Sequence, residues 1–146
     1  LYHQSSHLGD ELLLSNPGIT RRDLSFEAME ILGSVHGRHW RLYAGGTDRF
    51  RTNSGIDSAS AQWGLELRWP GLLPYTNGVF GADFQAFEEQ GWAVTTSLAA
   101  GPEFAVPHAY QRVRILAVYL RGFIPFGQFF NETRIENFGV ALQFEF

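Results

Sequence analysis

Apolar and polar residues alternate one for one along much of this chain. The clearest stretch sets Ala61, Trp63, Leu65, Leu67 and Trp69 against Gln62, Gly64, Glu66 and Arg68, a period of two that belongs to a strand and not to a helix. The same pattern sets Val140, Leu142, Phe144 and Phe146 against Ala141, Gln143 and Glu145, and Phe80, Ala82, Phe84 and Ala86 against Gly81, Asp83 and Gln85. Trp40, Leu42 and Ala44 alternate with Arg41 and Tyr43, and Trp92, Val94, Thr96 and Leu98 with small residues from Ala93 to Ala99. Eight strands are predicted, over approximately 1–8, 23–34, 38–46, 58–69, 77–88, 92–103, 111–121 and 136–146, divided by Gly, Pro, Asn or Asp clusters. The seventh is untidy, with Arg112 and Arg114 giving way to the apolar run Ile115–Leu120. In the second, a short helix competes with the strand.

A soluble antiparallel sandwich alternates in the same way, so the connections carry the distinction. Gly9–Arg22, Gly45–Asp57 and Gly122–Ile135 are long and rich in Gly, Asn, Asp, Ser and Thr, whereas most of the others are shorter. Short turns on one side and longer loops on the other are the layout of an outer-membrane barrel. Glu27, Arg41, Glu66, Arg68, Asp83, Arg114 and Glu145 fall on the polar faces, where both charge signs would pair across a narrow, side-chain-filled lumen. Trp40, Trp63, Trp69, Trp92, Tyr43, Tyr75 and Tyr119 fall near segment ends, as an interfacial girdle requires, with some pointing inward. The expected fold is all-β: an antiparallel up-and-down transmembrane β-barrel, one domain over 1–146.

Composition narrows the function. The chain has no cysteine, so disulfide and thiol chemistry are excluded. All 11 cationic side chains are arginine and the net charge is −4, which disfavours nucleic acid as a partner because phosphate binding needs a basic face. No window is long and apolar enough for a membrane helix, but membrane strands need only about 9–11 residues. The opening Leu1-Tyr2-His3-Gln4 has neither Met nor a signal-peptide pattern, and reads as trimmed.

The opening run Leu1–Glu11 (LYHQSSHLGDE), the stretches Trp40–Gly46 and Trp63–Arg68, the run Phe126–Phe130 and the closing Gly139–Phe146 resemble the bacterial domain-of-unknown-function 1207 family across nearly the whole chain. The resemblance implies a β-barrel in a Gram-negative outer membrane, without an established activity. Members are usually longer at the N-terminus, so the eight visible strands are either the barrel or the C-terminal part of a larger one. The final Phe146, after Val140, Leu142 and Phe144, is the aromatic ending common in such barrels, and implies handling by the barrel-assembly machinery through the last strand.

If the eighth strand ends in the periplasm, the first climbs outward, with His3, Ser5 and His7 on one face. His3 as general base and Ser5 as nucleophile, with His7, Asp10 or Glu11 nearby, would suit ester hydrolysis. The His-x-Ser pattern is similar to that of the outer-membrane lipid A deacylases, although Ser6-His7-Leu8-Gly9 departs from their following residues. His3 and His7 lie roughly 13 Å apart along a strand, too far for one zinc ion unless the strand bends; calcium or magnesium at Asp10 and Glu11 is the metal alternative, and no metal or cofactor is expected. The bland alternative is a buried network in which these groups satisfy one another.

Phe126, Gln128, Phe129 and Phe130 form an aromatic loop suited to an acyl chain or a partner, or to packing over a barrel mouth. Asn131-Glu132-Thr133 reads as a polar turn. Gly78, Gly81, Gly91 and Gly101 follow no phosphate-binding spacing and are ascribed to strand geometry. Three functions compete: a structural or lipid- and ligand-binding barrel with a plugged lumen in the outer membrane, a lipid-modifying hydrolase, and a soluble lipocalin-like carrier.

Overall fold

The computed structural model describes residues 2–8, 22–50, 59–105, 111–123 and 134–145, with side chains from Phe26 onward. Eight strands are present: β1 (Tyr2–Leu8), β2 (Arg22–His36), β3 (Trp40–Phe50), β4 (Ala59–Pro70), β5 (Thr76–Phe87), β6 (Val94–Ala105), β7 (Arg112–Phe123) and β8 (Arg134–Glu145). They form one antiparallel sheet in the order β1-β2-β3-β4-β5-β6-β7-β8, each strand paired with its neighbours in sequence. Among the described residues no ladder joins β8 to β1, so the sheet is open along those two edges.

The predicted strands recur with their ends shifted, mostly by one or two residues. The largest change is in β2, which runs as a strand from Arg22 to His36 where a short helix had competed. Its partner explains this: ten successive pairs from Glu27↔Phe50 to His36↔Arg41 give every position from Glu27 to His36 a place in the β3 ladder. The connection asymmetry holds as well. By chain connectivity, the strand ends on one side are joined through 37–39, 71–75 and 106–111, and those on the other through 9–21, 51–58, 88–93 and 124–133. Only 88–93 is short on that side, and it holds a 3-10 turn, Glu88–Gln90. That turn is closed by Gly91 and Trp92, both at positive φ (61° and 62°), the mirror-image geometry that suits the twist of a hairpin.

Ladder partners share a face, so the registers sort the side chains into two sets. Arg41↔Glu66↔Gly81↔Ala99 and Tyr43↔Gly64↔Asp83↔Ser97 run across the polar face. Leu42↔Leu65↔Ala82↔Leu98↔Tyr119 runs across the apolar one. Glu27 corrects the sequence reading: it lies opposite Phe50, out of phase with the Ala28↔Arg49 pair of the polar face. The sheet curls toward its polar face. Tyr43 of β3 reaches Asp83 of β5, and Arg68 of β4 reaches Glu103 of β6, each across an intervening strand that separates them by roughly 10 Å in a flat sheet.

The burial pattern is inverted relative to a water-soluble domain. The buried apolar residues among those described are Phe26, Ala28, Ala82, Ala86 and Leu116, three of them alanine. Meanwhile Phe138 is 82% exposed, Val140 78% and Ile31 67%, in company with Leu42, Trp63, Leu67, Trp69, Ile115, Leu142 and Phe144. Trp63 lies in mid-strand, stacked on Phe84 at 5.8 Å, and Tyr43 faces the polar side; neither sits at a strand end. Trp40, Trp69, Tyr75 and Trp92 do lie at strand ends and are exposed.

Candidate functional site

The polar face carries three clusters. Toward the short-turn end, Glu103 of β6 has no exposed surface and is held by three donors. One oxygen accepts from Arg68 and from Asn77 at 3.0 Å, and the other from Nε of Arg114 at 2.9 Å. Arg114 continues to Glu145 at 3.3 Å, and Arg41 pairs with Glu66 opposite it in the ladder at 3.1 Å. A buried carboxylate is tolerable only with such saturation by cations and amides. The network therefore ties β4, β5, β6, β7 and β8 together on the concave side.

In the middle, Oδ1 of Asp83 accepts from the Tyr43 hydroxyl at 2.6 Å and from Gln62 at 2.7 Å, while Oδ2 accepts from Gln85 at 3.0 Å. All three donors are neutral, and they come from β3, β4 and β5. Gly64 makes this cluster fit: a Cβ there would collide with the Tyr43 phenol and the Ala82 carbonyl. Toward the long-loop end, Arg49 is held between the rings of Phe26 and Phe87, 5.3 Å from each, and pairs with Glu89 at 3.4 Å. Glu88 caps the start of β4 by accepting from the Ala59 N–H at 3.0 Å.

Two cavities open between these clusters. One of about 390 Å³ is bordered by Arg41, Glu66, Arg68, Glu103, Arg114 and Gln143. The next, about 520 Å³, is bordered by Tyr43, Asp83, Ser97, Val118, Leu120 and Asn137. Glu66, Gly81 and Ala99 border both. What this arrangement can do chemically is hold a polar ligand among fixed charges; among the described residues it presents no Ser or His hydrogen-bonded to a neighbouring base.

The structure treats the sequence candidates unevenly. His3, Ser5 and His7 lie on β1, where the ladder sets them opposite Glu27, Ser25 and Asp23; their side chains are outside the described residues. Asp10, Glu11, Phe126, Gln128, Phe129 and Phe130 also lie outside the described residues. Arg41, Glu66, Arg68, Asp83, Arg114 and Glu145 are brought to one face as expected, but Glu103, Asn77 and Tyr43, which complete the clusters, were not singled out for that role. The spacing of Glu103 from Arg114 across a hairpin turn was the available signal.

An up-and-down antiparallel sheet with an ion-paired concave face and an apolar convex one is the class these features define. The family model described as "Protein of unknown function (DUF1207)" matches residues 1–146, and the chain belongs to that family. No curated protein and no solved structure matches the chain.

Proposed function

We propose that this protein is an outer-membrane β-barrel whose apolar convex face meets lipid and whose concave face forms a polar, side-chain-plugged interior that binds a ligand. The observation that carries this reading is the inversion of burial, with Phe138, Val140, Ile31, Leu42, Leu67 and Leu142 exposed on one face while Glu103 is fully buried on the other. An exposed apolar surface spanning several strands needs an apolar environment. The exposed aromatics at strand ends support it. Tyr75 and Trp92 both hold positive φ, 61° and 62°, a conformation costing a bulky residue about 1–2 kcal/mol, which a position in the interfacial layer would offset.

Heat-modifiable gel migration after refolding with and without detergent tests the reading. Folding that requires detergent or lipid is expected; a monodisperse folded protein in plain buffer would overturn it in favour of a soluble carrier.

A second reading rests on one observation in the β1–β2 ladder. Glu27 stands opposite His3, in the register phase of the apolar face, where the acyl esters of membrane lipids would lie. We propose in that case His3 as base, Ser5 as nucleophile and Glu27 as the group orienting the imidazole. Comparing lipid products from wild type and Ser5→Ala decides it: loss of a deacylated product with folding retained supports the hydrolase, and identical lipid profiles dismiss it.

A further inference from the structure

Among the described strand glycines, Gly81 is the one whose added Cβ would meet nothing, with Gly33 next at a single ordinary contact of 3.9 Å. Gly64 is crowded by Tyr43, Gly78 by the Trp69 indole, and Gly45 and Gly101 by the backbones of β2 and β7. A Cβ at Gly81 would meet nothing within 4 Å, and the residue occupies ordinary extended backbone in mid-β5. Neither conformation nor packing among the described residues calls for glycine here, while glycine weakens a strand interior and often marks the close approach of a ligand. Strand geometry therefore does not account for it.

The open space above Gly81 joins the two cavities, and their borders differ in charge. Arg38, Arg41, Arg68 and Arg114 border the smaller one against Glu66 and Glu103, a local cationic excess in a chain of net charge −4. Arg41, Arg68 and Arg114 are held in place by Glu66 and Glu103 but retain donors, because a guanidinium has five and Arg68 and Arg41 each commit one nitrogen to these carboxylates. Nε of Arg68 is buried with no partner among the described residues. The adjoining cavity presents Asp83, Ser97, Asn137 and Tyr43, a set of acceptors and donors that fits hydroxyl groups.

We propose that the space over Gly81 is a binding site for a small phosphorylated polyol, its phosphate against Arg41, Arg68 and Arg114 and its hydroxyls toward Asp83, Ser97 and Asn137. The combined space is in the range of small-molecule sites. This rests on the barrel reading and names the ligand class for its interior. The site lies on the concave face, opposite the one offered to lipid, so the phosphate belongs to a free molecule and not to a lipid headgroup.

Calorimetric titration of the full chain folded in detergent tests this, with glucose 6-phosphate, glucose, inorganic phosphate and phosphatidylglycerol micelles as probes. Glucose 6-phosphate is expected to bind, and glucose to bind about tenfold or more weakly, as loss of charge-assisted hydrogen bonds requires. Gly81→Leu and Ala99→Leu fill the space and should each abolish binding, and Arg41→Gln should weaken it about fivefold or more. The proposal is overturned if glucose 6-phosphate gives no binding heat, if either filled variant that folds binds like wild type, or if only phosphatidylglycerol binds. Heat-modifiable migration of the same samples reports separately on the barrel reading.

Discussion

The Nε of Arg114 lies 2.9 Å from Oε2 of Glu103, a carboxylate with no exposed surface and a second arginine, Arg68, on its other oxygen. Removing Glu103 leaves two guanidiniums facing each other with no charge between them. Glu103→Ala is expected to lower stability by about 3 kcal/mol, since breaking a buried pair leaves uncompensated charge. Glu103→Gln, which keeps an acceptor, should cost about half as much. Urea unfolding in detergent, followed by tryptophan emission, measures both.

Gly64 and Gly81 make a matched contrast on the same face. Gly64→Ala should displace the Tyr43 phenol from Asp83 and cost more than Tyr43→Phe, which removes only that hydrogen bond, worth about 1.5–3 kcal/mol. Gly81→Ala should leave stability unchanged or raise it, because its Cβ enters open space. The same unfolding assay ranks the three variants, and equal losses at Gly64 and Gly81 would refute the assignment of Gly64 to the Tyr43 cluster.

Val140 and Gln143 lie on opposite faces of β8. If lipid covers the convex face, Val140→Arg should destabilise the folded protein in lipid vesicles by about 2–4 kcal/mol, while Gln143→Arg should have little effect. Similar effects from both substitutions would argue that the two faces share one environment.

The registers also fix where the free edges would meet. Asn137, Leu120, Ser97, Asp83, Gly64, Tyr43 and Ser34 form one row across seven strands, yet β1 pairs lower on β2, from Ala28 to Arg22. Eight strands tilted 35–45° require a stagger of about 8–12 residues on closing. From Ser34, that range lands on Phe26, Leu24 and Arg22, whose β1 partners are Gln4, Ser6 and Leu8. If the sheet closes as a barrel of that tilt, β1 lies where β8 needs it. The central value pairs Asn137 with Ser6, so the double cysteine variant at these positions should cross-link within one chain. Pairing Phe138 with Ser6 instead should not. Cross-linking between two chains would point to closure by a second copy.

The alternation in β4 was legible because Trp63, Leu65 and Leu67 contrast sharply with Gln62, Glu66 and Arg68. In β2 the contrast fails: Leu32 sits on the polar face opposite Gly45, and Glu27 on the other, so charge alone assigned Glu27 to the wrong side. The meeting of Arg68, Glu103 and Arg114 was illegible for a different reason. It depends on the stagger of β4, β5, β6 and β7 together with the curl of the sheet, and a one-residue slip in any ladder would send one partner to the opposite face. The pairing of His3 with Glu27 in the ladder was hidden in the same way, behind a connection whose length does not fix the register.

Because every ladder joins strands adjacent in sequence, each strand can be added by closing a short stretch of chain onto an existing edge, with little entropy lost at each step. Assembly of the sheet is then a matter of successive local additions, and only a seam between β1 and β8 would ask distant parts of the chain to find each other. That seam would be the slow event and the natural point for outside assistance, whereas a hairpin such as β5–β6 would close before it.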